Sequence, residues 1–235
     1  MPVDRRWKFY KGRDPRDLPA YTTPEAAHYL KLPVATLRSW VLGREYPTAS
    51  GKRFFKPVIR PGQPGTGLLS FFALVEAHVL AAIRRQHGVR LDKVRIALAY
   101  LTRHFPSQHP LADHRFETNG LDLFVEKYGK LINVSQSGQL ALRALLERHL
   151  RRIDRDSSGL PIKLYPFTTI TAVEQPRAVV IDPRVSFGRP VLAGTGVPTS
   201  TIFDRYKAGE SIEQLADDYG LKPLEIQEAI RCEAA

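Results

Sequence analysis

Cysteine is almost missing: Cys232 is the single one in 235 residues. That excludes an intramolecular disulfide and a cysteine-based zinc finger. Long apolar runs are missing too, and none approaches the ~20 residues a membrane-spanning helix needs. The opening stretch, Met1 to Lys8, lacks the apolar core of a secretory signal, so a cytoplasmic, nucleoid-associated protein is expected. Acidic residues are scarce relative to basic ones, 24 against 35, for a formal charge of +11. Hydrophobic residues at 43% and charged residues at 25% are ordinary globular values. Such a composition excludes a collagen-like, coiled-coil or wholly disordered chain. At about 150 residues per domain the length allows one or two domains, with a core that needs no staple.

The basic excess is not spread evenly. Residues 1–104 hold 19 basic and 7 acidic side chains, residues 105–175 hold 9 and 8, and residues 176–235 hold 7 and 9. The chain therefore has one end suited to a polyanion and one slightly acidic end.

Residues 1–20 read as a basic arm. Thr23 is placed to cap a helix with Pro24 at its first position and Glu25 in its first turn, and Ala26, Ala27 and Leu30 then lie on one face. Lys31-Leu32-Pro33 breaks it. A second helix from about Val34 to Val41 turns Leu37, Trp40 and Val41 inward and leaves Thr36, Arg38 and Ser39 outward. This is helix-turn-helix spacing. Two extended segments about Ser50-Gly51 then read as a β-wing with Lys52, Arg53 and Lys56 near its tip. Ser70 is placed to cap a longer helix that ends at Gly88, and a further helix carries Val94, Ala97, Leu98 and Leu101.

Residues 105–114 read as a linker. The next segment, 115–168, reads as a small α+β unit. Its expected strands are 116–119, 122–126 and 130–135, with an Asn119-Gly120 hairpin turn. A helix striped with Leu142, Leu145, Leu146, His149, Leu150 and Ile153 follows, stopped by Ser157-Ser158-Gly159. A strand is expected at 162–167. After a second linker at 171–177, residues 178–235 read as a short strand and three helices. Thr199 or Ser200 caps the first helix, Ser211 to Gln214 form a capping box for the second, and Pro223 opens the third. The fold class expected is mainly α with small β elements: a winged helix-turn-helix (21–104), a middle α+β unit and a C-terminal helix-turn-helix-like domain.

The first 104 residues resemble the DNA-binding half of the MerR regulators. The matching text is Tyr21-Thr-Thr-Pro-Glu-Ala-Ala-His-Tyr-Leu30, Thr36-Leu-Arg-Ser-Trp40, the basic wing, Ser70-Phe-Phe-Ala-Leu74 and Ile83 to Arg95. A short helix fits the major groove, and a basic wing reaches flanking phosphates. By motif position Thr36, Arg38 and Ser39 are expected to read base edges, and Arg44, Lys52, Arg53 and Lys56 to hold phosphates. The family's effector-sensing C-terminal helix is not evident.

The last 55 or so residues resemble the antitoxin-like domain-of-unknown-function family 433, VapB-like partners of PIN-like nuclease toxins. The residues are Val180-Ile-Asp-Pro-Arg-Val-Ser-Phe-Gly-Arg-Pro-Val-Leu-Ala-Gly-Thr-Gly-Val-Pro-Thr199, Ala208-Gly-Glu-Ser211 and Leu224 to Ile230. Ala193 and Gly196 depart from the family's basic residue and arginine. The resemblance implies a toxin-binding loop, for which Arg184, Arg189 and Thr195 are the candidates. Glu213, Asp217, Asp218, Glu225 and Glu228 would make the final helices an acidic face that repels phosphate, fit for protein contact or dimerisation.

No catalytic constellation emerges. Gly62 to Gly67 lacks the context of a phosphate-binding loop. His104, His109 and His114 step by five, which is not metal-ligand spacing, so neither metal nor cofactor is expected. His78 and His149 lie on apolar faces and read as core. The expected function is a homodimeric antitoxin of a type II toxin–antitoxin system. It would neutralise a PIN-like ribonuclease toxin and repress its own operon through operator DNA. A MerR-like regulator without a toxin is the alternative, and an enzyme is not expected.

Overall fold

A computed structural model describes residues 13–48, 51–63, 65–85, 91–133, 135–169 and 175–234. Most of the expected basic arm, the Gly88 helix stop and part of the second expected linker lie outside these residues.

Helix α1 (Thr23–Tyr29) is capped by Thr22 rather than Thr23. The Thr22 hydroxyl accepts from the Glu25 N–H at 3.3 Å, and Glu25 reaches back to the Thr22 N–H at 2.8 Å. Thr23 is buried and donates instead to the Gly67 carbonyl. Lys31, with φ of 52°, turns the chain into α2 (Val34–Leu42). Strands β1 (Arg44–Thr48) and β2 (Gly51–Phe55) form the wing, antiparallel, with Arg44 opposite Phe55 and Tyr46 opposite Arg53. Between α2 and the wing, Gly43 has φ of +76°, and a Cβ there would lie 2.3 Å from the Phe55 carbonyl oxygen. Only glycine fits that junction.

Helix α3 (Phe71–Arg85) is the centre of the molecule, with Ser70 capping it as expected. It is buried on nearly every side, not on one stripe alone. One continuous core runs from Tyr21 and Trp40 through α3 to Phe124, Leu146, Leu164 and Ile181. Helices α4 (Leu91–His104), α5 (Leu121–Ile132) and α6 (Gln136–Leu150) close around it.

Two expectations for the middle of the chain are corrected. Residues 116–132 are helical, not strands: a wide turn at Phe116–Gly120 leads straight into α5. Phe124, Val125 and Tyr128 lie on a helical face with Phe116 and Leu121, and α5 stops at Asn133, which takes the left-handed conformation. Gly120 and Gly129 permit close helix packing here; a Cβ would sit 2.9 Å from Leu101 and 2.7 Å from Gln139. The second correction is that 105–114 is packed, not a free linker. Leu111 and Ala112 are buried, and His109 Nδ1 lies 2.9 Å from the fully buried Glu76 carboxylate. Glu76 needs that partner because it interrupts an otherwise apolar helix. Helix α6 also ends at Leu150, and Ile153 belongs to β3 (Ile153–Arg155), paired antiparallel with β4 (Pro161–Leu164).

Asp113 in this packed segment accepts from Arg115 Nε at 3.0 Å and Nη2 at 2.6 Å. Burial opposes its charge, but the Arg115 and Ser107 hydrogen bonds outweigh that and bring its pKa down to about 2. An unfolded aspartate titrates near 3.9. Asp113 therefore stabilises the fold fully above that value, and the contribution is lost as pH falls toward 2. Urea-denaturation midpoints between pH 5 and pH 2 are expected to fall less steeply in Asp113→Asn than in the parent. Parallel curves would show that Asp113 has no such role.

The C-terminal module starts with β5 (Val179–Val180), paired antiparallel with β6 (Val191–Leu192). Helices α7 (Thr199–Lys207), α8 (Ile212–Tyr219) and α9 (Pro223–Glu233) pack on Leu192, Ile202, Leu215, Ile226 and Ala229. The capping box at Ser211 and the Pro223 start are present as expected. Pro198 rather than Thr199 or Ser200 occupies the N-cap of α7, and Thr199 is buried with its hydroxyl on the Pro190 carbonyl.

Candidate nucleic-acid interface and partner-binding module

Arg38 is exposed on α2 and Thr36 is half-buried. Ser39 departs from the outward position expected of it. It is buried, and its hydroxyl donates to the Thr36 carbonyl at 2.8 Å. The next residue, Trp40, is fully buried. The Trp40 carbonyl accepts from the N–H groups of Val58 and Ile59, at 2.8 and 3.0 Å. The wing is thus anchored to α2 at both of its ends, by Gly43 and by Trp40.

On the wing Arg44, Lys52, Arg53 and Lys56 are all exposed. Pairing of Tyr46 with Arg53 and of Arg44 with Phe55 puts both arginines on one face of the hairpin. Lys52 belongs to the other face, 3.4 Å from Glu45, with both side chains largely in water. Such a pair is worth about 0–1 kcal/mol and gives way readily to a phosphate. Behind the wing, the Arg95 guanidinium lies 4.4 Å from the Phe55 ring centroid and donates to the Lys56 carbonyl. A cationic hairpin with a rigid base, next to an exposed helix, can follow a phosphate backbone.

In the C-terminal module the loop from Asp182 to Gly196 carries the candidate residues. Asp182 is buried and holds Arg184 through Nε at 2.9 Å and Nη2 at 2.8 Å. That hydrogen bond raises the pKa of Arg184. Thr195 is exposed, but its hydroxyl is built into the turn, donating to the Leu192 carbonyl and accepting from the Val197 N–H. Arg189 is exposed and forms no ion pair among the described residues. Between the two arginines, Ser186, Phe187 and Gly188 have φ of 47°, 56° and 78°. Each non-glycine residue in that conformation costs about 1–2 kcal/mol.

Module and winged domain are tied together. Lys31 Nζ donates to the carbonyls of Arg231 and Cys232 at the end of α9, at 3.0 and 2.7 Å. A cation there meets the negative end of the helix. Gly188 lies flush against Tyr21, such that a Cβ would be 2.3 Å from its hydroxyl. Arg152 of the α6 end donates to the carbonyls of Tyr165, Pro166, Gln175 and Pro176, which fastens the connection between core and module.

Residues 19–98 match the family described as "Putative DNA-binding HTH domain", and residues 179–231 match the "Protein of unknown function (DUF433)" family. "Putative antitoxin VapB45" of Mycobacterium tuberculosis is 31% identical over 237 aligned residues, covering 93% of this chain and 95% of its own. The chain belongs to that protein's family. It carries the DNA-binding helix-turn-helix domain at its N-terminus and the DUF433 domain at its C-terminus. A second relative, "Uncharacterized protein Rv2308" of the same organism, is 29% identical, covering 91% of this chain and 90% of its own. The crystal structure of Rv2018, also from Mycobacterium tuberculosis, superposes with a TM-score of 0.64 at 25% identity, covering 91% of this chain and 98% of that one.

Of the DNA-binding candidates, Arg38 on α2 and Arg44, Lys52, Arg53 and Lys56 on the wing are all exposed, with Arg44 and Arg53 on one face of the hairpin and Lys52 on the other. Glu228 leaves the acidic face expected of it. It is buried against Thr168 and bonded by Arg231, while Glu213, Asp217 and Asp218 stay exposed. Cys232 is buried, and burial pushes its thiol up to about 12, so it carries no reactivity. His78 and His149 are core residues as expected. No group of three or more metal-ligating side chains occurs among the described residues, and no helix among them is long and apolar enough to cross a membrane. Sequence reasoning missed Arg152, Lys31 and Phe187. A single residue inside a turn or at a helix end has no periodicity to expose it.

Proposed function

We propose that this protein is an antitoxin that binds a PIN-like nuclease toxin through its C-terminal module and represses its own operon through the winged domain. The observation that carries the reading is a cationic wing, rigidly based, in one chain with a DUF433 module that has its own small core and, on its loop, an arginine free of ion pairs among the described residues. The name of the VapB45 relative supports the antitoxin half of this reading, and the helix-turn-helix match supports the DNA half. Arg38 and Thr36 read base edges, whereas the Ser39 hydroxyl is spent on the Thr36 carbonyl within the helix. Arg44, Lys52, Arg53 and Lys56 contact phosphates. Arg189 meets an acidic surface of the toxin, and Arg184 and Thr195 shape the loop that presents it. The chain acts as a homodimer on a palindromic operator, its half-sites one helical turn apart or a multiple of it.

The test pairs the purified chain with the product of the adjacent reading frame and with the promoter duplex upstream. Ribonuclease activity of that product is expected to fall on addition of the chain, and Arg189→Glu is expected to weaken this inhibition at least tenfold. Promoter binding is expected to drop steeply between 50 and 200 mM salt. Promoter binding without any effect on the neighbouring product would leave a transcription regulator and remove the toxin from this reading.

A further inference from the structure

We propose that Phe187, carried on a left-handed turn beside Arg189, is the anchor by which the C-terminal module seats on its protein partner, filling an apolar cup rimmed by carboxylates. The inference rests on the antitoxin reading and names the residue that supplies its affinity.

Phe187 is 81% exposed, the most exposed large hydrophobic side chain among the described residues. Its backbone is left-handed, a conformation that glycine adopts freely and phenylalanine does not. The fold gains nothing in return, since the ring packs against no core cluster. Strain held without an internal benefit points outward, to a contact made in a complex.

The turn is also held rigid. The Val185 N–H donates to the Asp182 carbonyl, the Gly188 N–H to Val185, and the Arg189 N–H to Ser186. Gly188 rests on Tyr21, at the root of the winged domain. An aromatic side chain on a fixed support loses little freedom on binding. Aromatic residues and arginine are also the types that dominate interface energetics.

Charge selects the partner. Arg189 is exposed two residues on, and Arg184 is already occupied by Asp182. The matching rim is therefore acidic. A nucleic acid is disfavoured because Glu213 and Asp217 are exposed on the same module, form no ion pair among the described residues and repel phosphate.

The test uses the full chain, the purified product of the adjacent reading frame and the promoter duplex. Phe187→Ala is expected to lower affinity for that product at least ~30-fold. Phe187→Gly is expected to do the same while raising the melting temperature, because glycine relieves the turn. Promoter affinity and oligomeric state stay unchanged in both. Partner affinity within threefold of the parent overturns the proposal. So does a large loss of melting temperature in both variants, which would make the ring structural. A loss confined to promoter affinity, or to self-association, overturns it as well. Failure of the parent chain to bind the product at all removes the antitoxin reading itself, and is thereby distinct from failure of the anchor.

Discussion

Changing Arg44, Lys52 and Arg53 together to alanine is expected to lower promoter affinity by roughly 100-fold at 150 mM salt. The fold should survive, because all three side chains are exposed and the wing is held from its base by Gly43 and the Trp40 carbonyl. Removing three phosphate contacts should also reduce the slope of log affinity against log salt by about 2.7, at roughly 0.9 per contact. Loss of the Lys52–Glu45 pair adds little, since both partners are in water. Arg38→Ala should behave differently. A base-edge contact is worth about 1–3 kcal/mol and carries sequence preference, so this variant should bind promoter and random duplex more equally with a nearly unchanged slope. Fluorescence anisotropy across a salt series separates the two. A triple variant with the parent slope would show that the wing does not touch DNA.

Arg152→Ala is expected to destabilise the protein by about 3–5 kcal/mol, a large part of the roughly 5–15 kcal/mol available to a domain. The side chain is buried and donates to four carbonyls, at 2.8, 2.8, 3.0 and 3.2 Å. Its guanidinium also lies 4.9 Å from the Phe167 ring centroid. Burial and the neighbouring Arg177 lower its pKa to about 10, so it is still charged at neutral pH, compensated by carbonyl dipoles and by Glu228 at longer range. Alanine removes the donor of all four bonds at once, one of them buried and three partly buried. Lysine is no remedy, because one ammonium group cannot span the positions that the planar fork reaches. Arg152→Lys should recover less than half of the loss. Urea denaturation gives the stability, and limited proteolysis between residues 165 and 178 shows whether the module has come loose from the core. A change below about 0.5 kcal/mol would mean the connection is held by other contacts.

The fold was legible where a local signal and the tertiary environment agreed. The capping box at Ser211, the Pro223 start, the Ser70 cap and the Lys31-Leu32-Pro33 break each depend on backbone groups a few residues away, and each appears in the structure. The wing was legible for the same reason. Misreadings came where a residue served a distant neighbour. Asn119-Gly120 has the chemistry of a hairpin turn, yet Gly120 is there to let Leu101 approach, and the segment is helical. The histidines and prolines of 105–114 look like linker composition, yet His109 answers a carboxylate buried in α3.

The sequence by itself determined the separation of a cationic winged end from an acidic DUF433 end, because charge and local caps are properties of neighbours in the chain. Tertiary structure alone decided which candidates are available. Ser39 is buried with its hydroxyl on the Thr36 carbonyl, and Glu228 was withdrawn from the surface by Thr168 and Arg231. Arg184 was taken up by Asp182, and Phe187 was pushed into solvent by a left-handed turn braced on Tyr21. Burial and backbone handedness arise from contacts among residues far apart in the chain, and no reading of adjacent residues contains them.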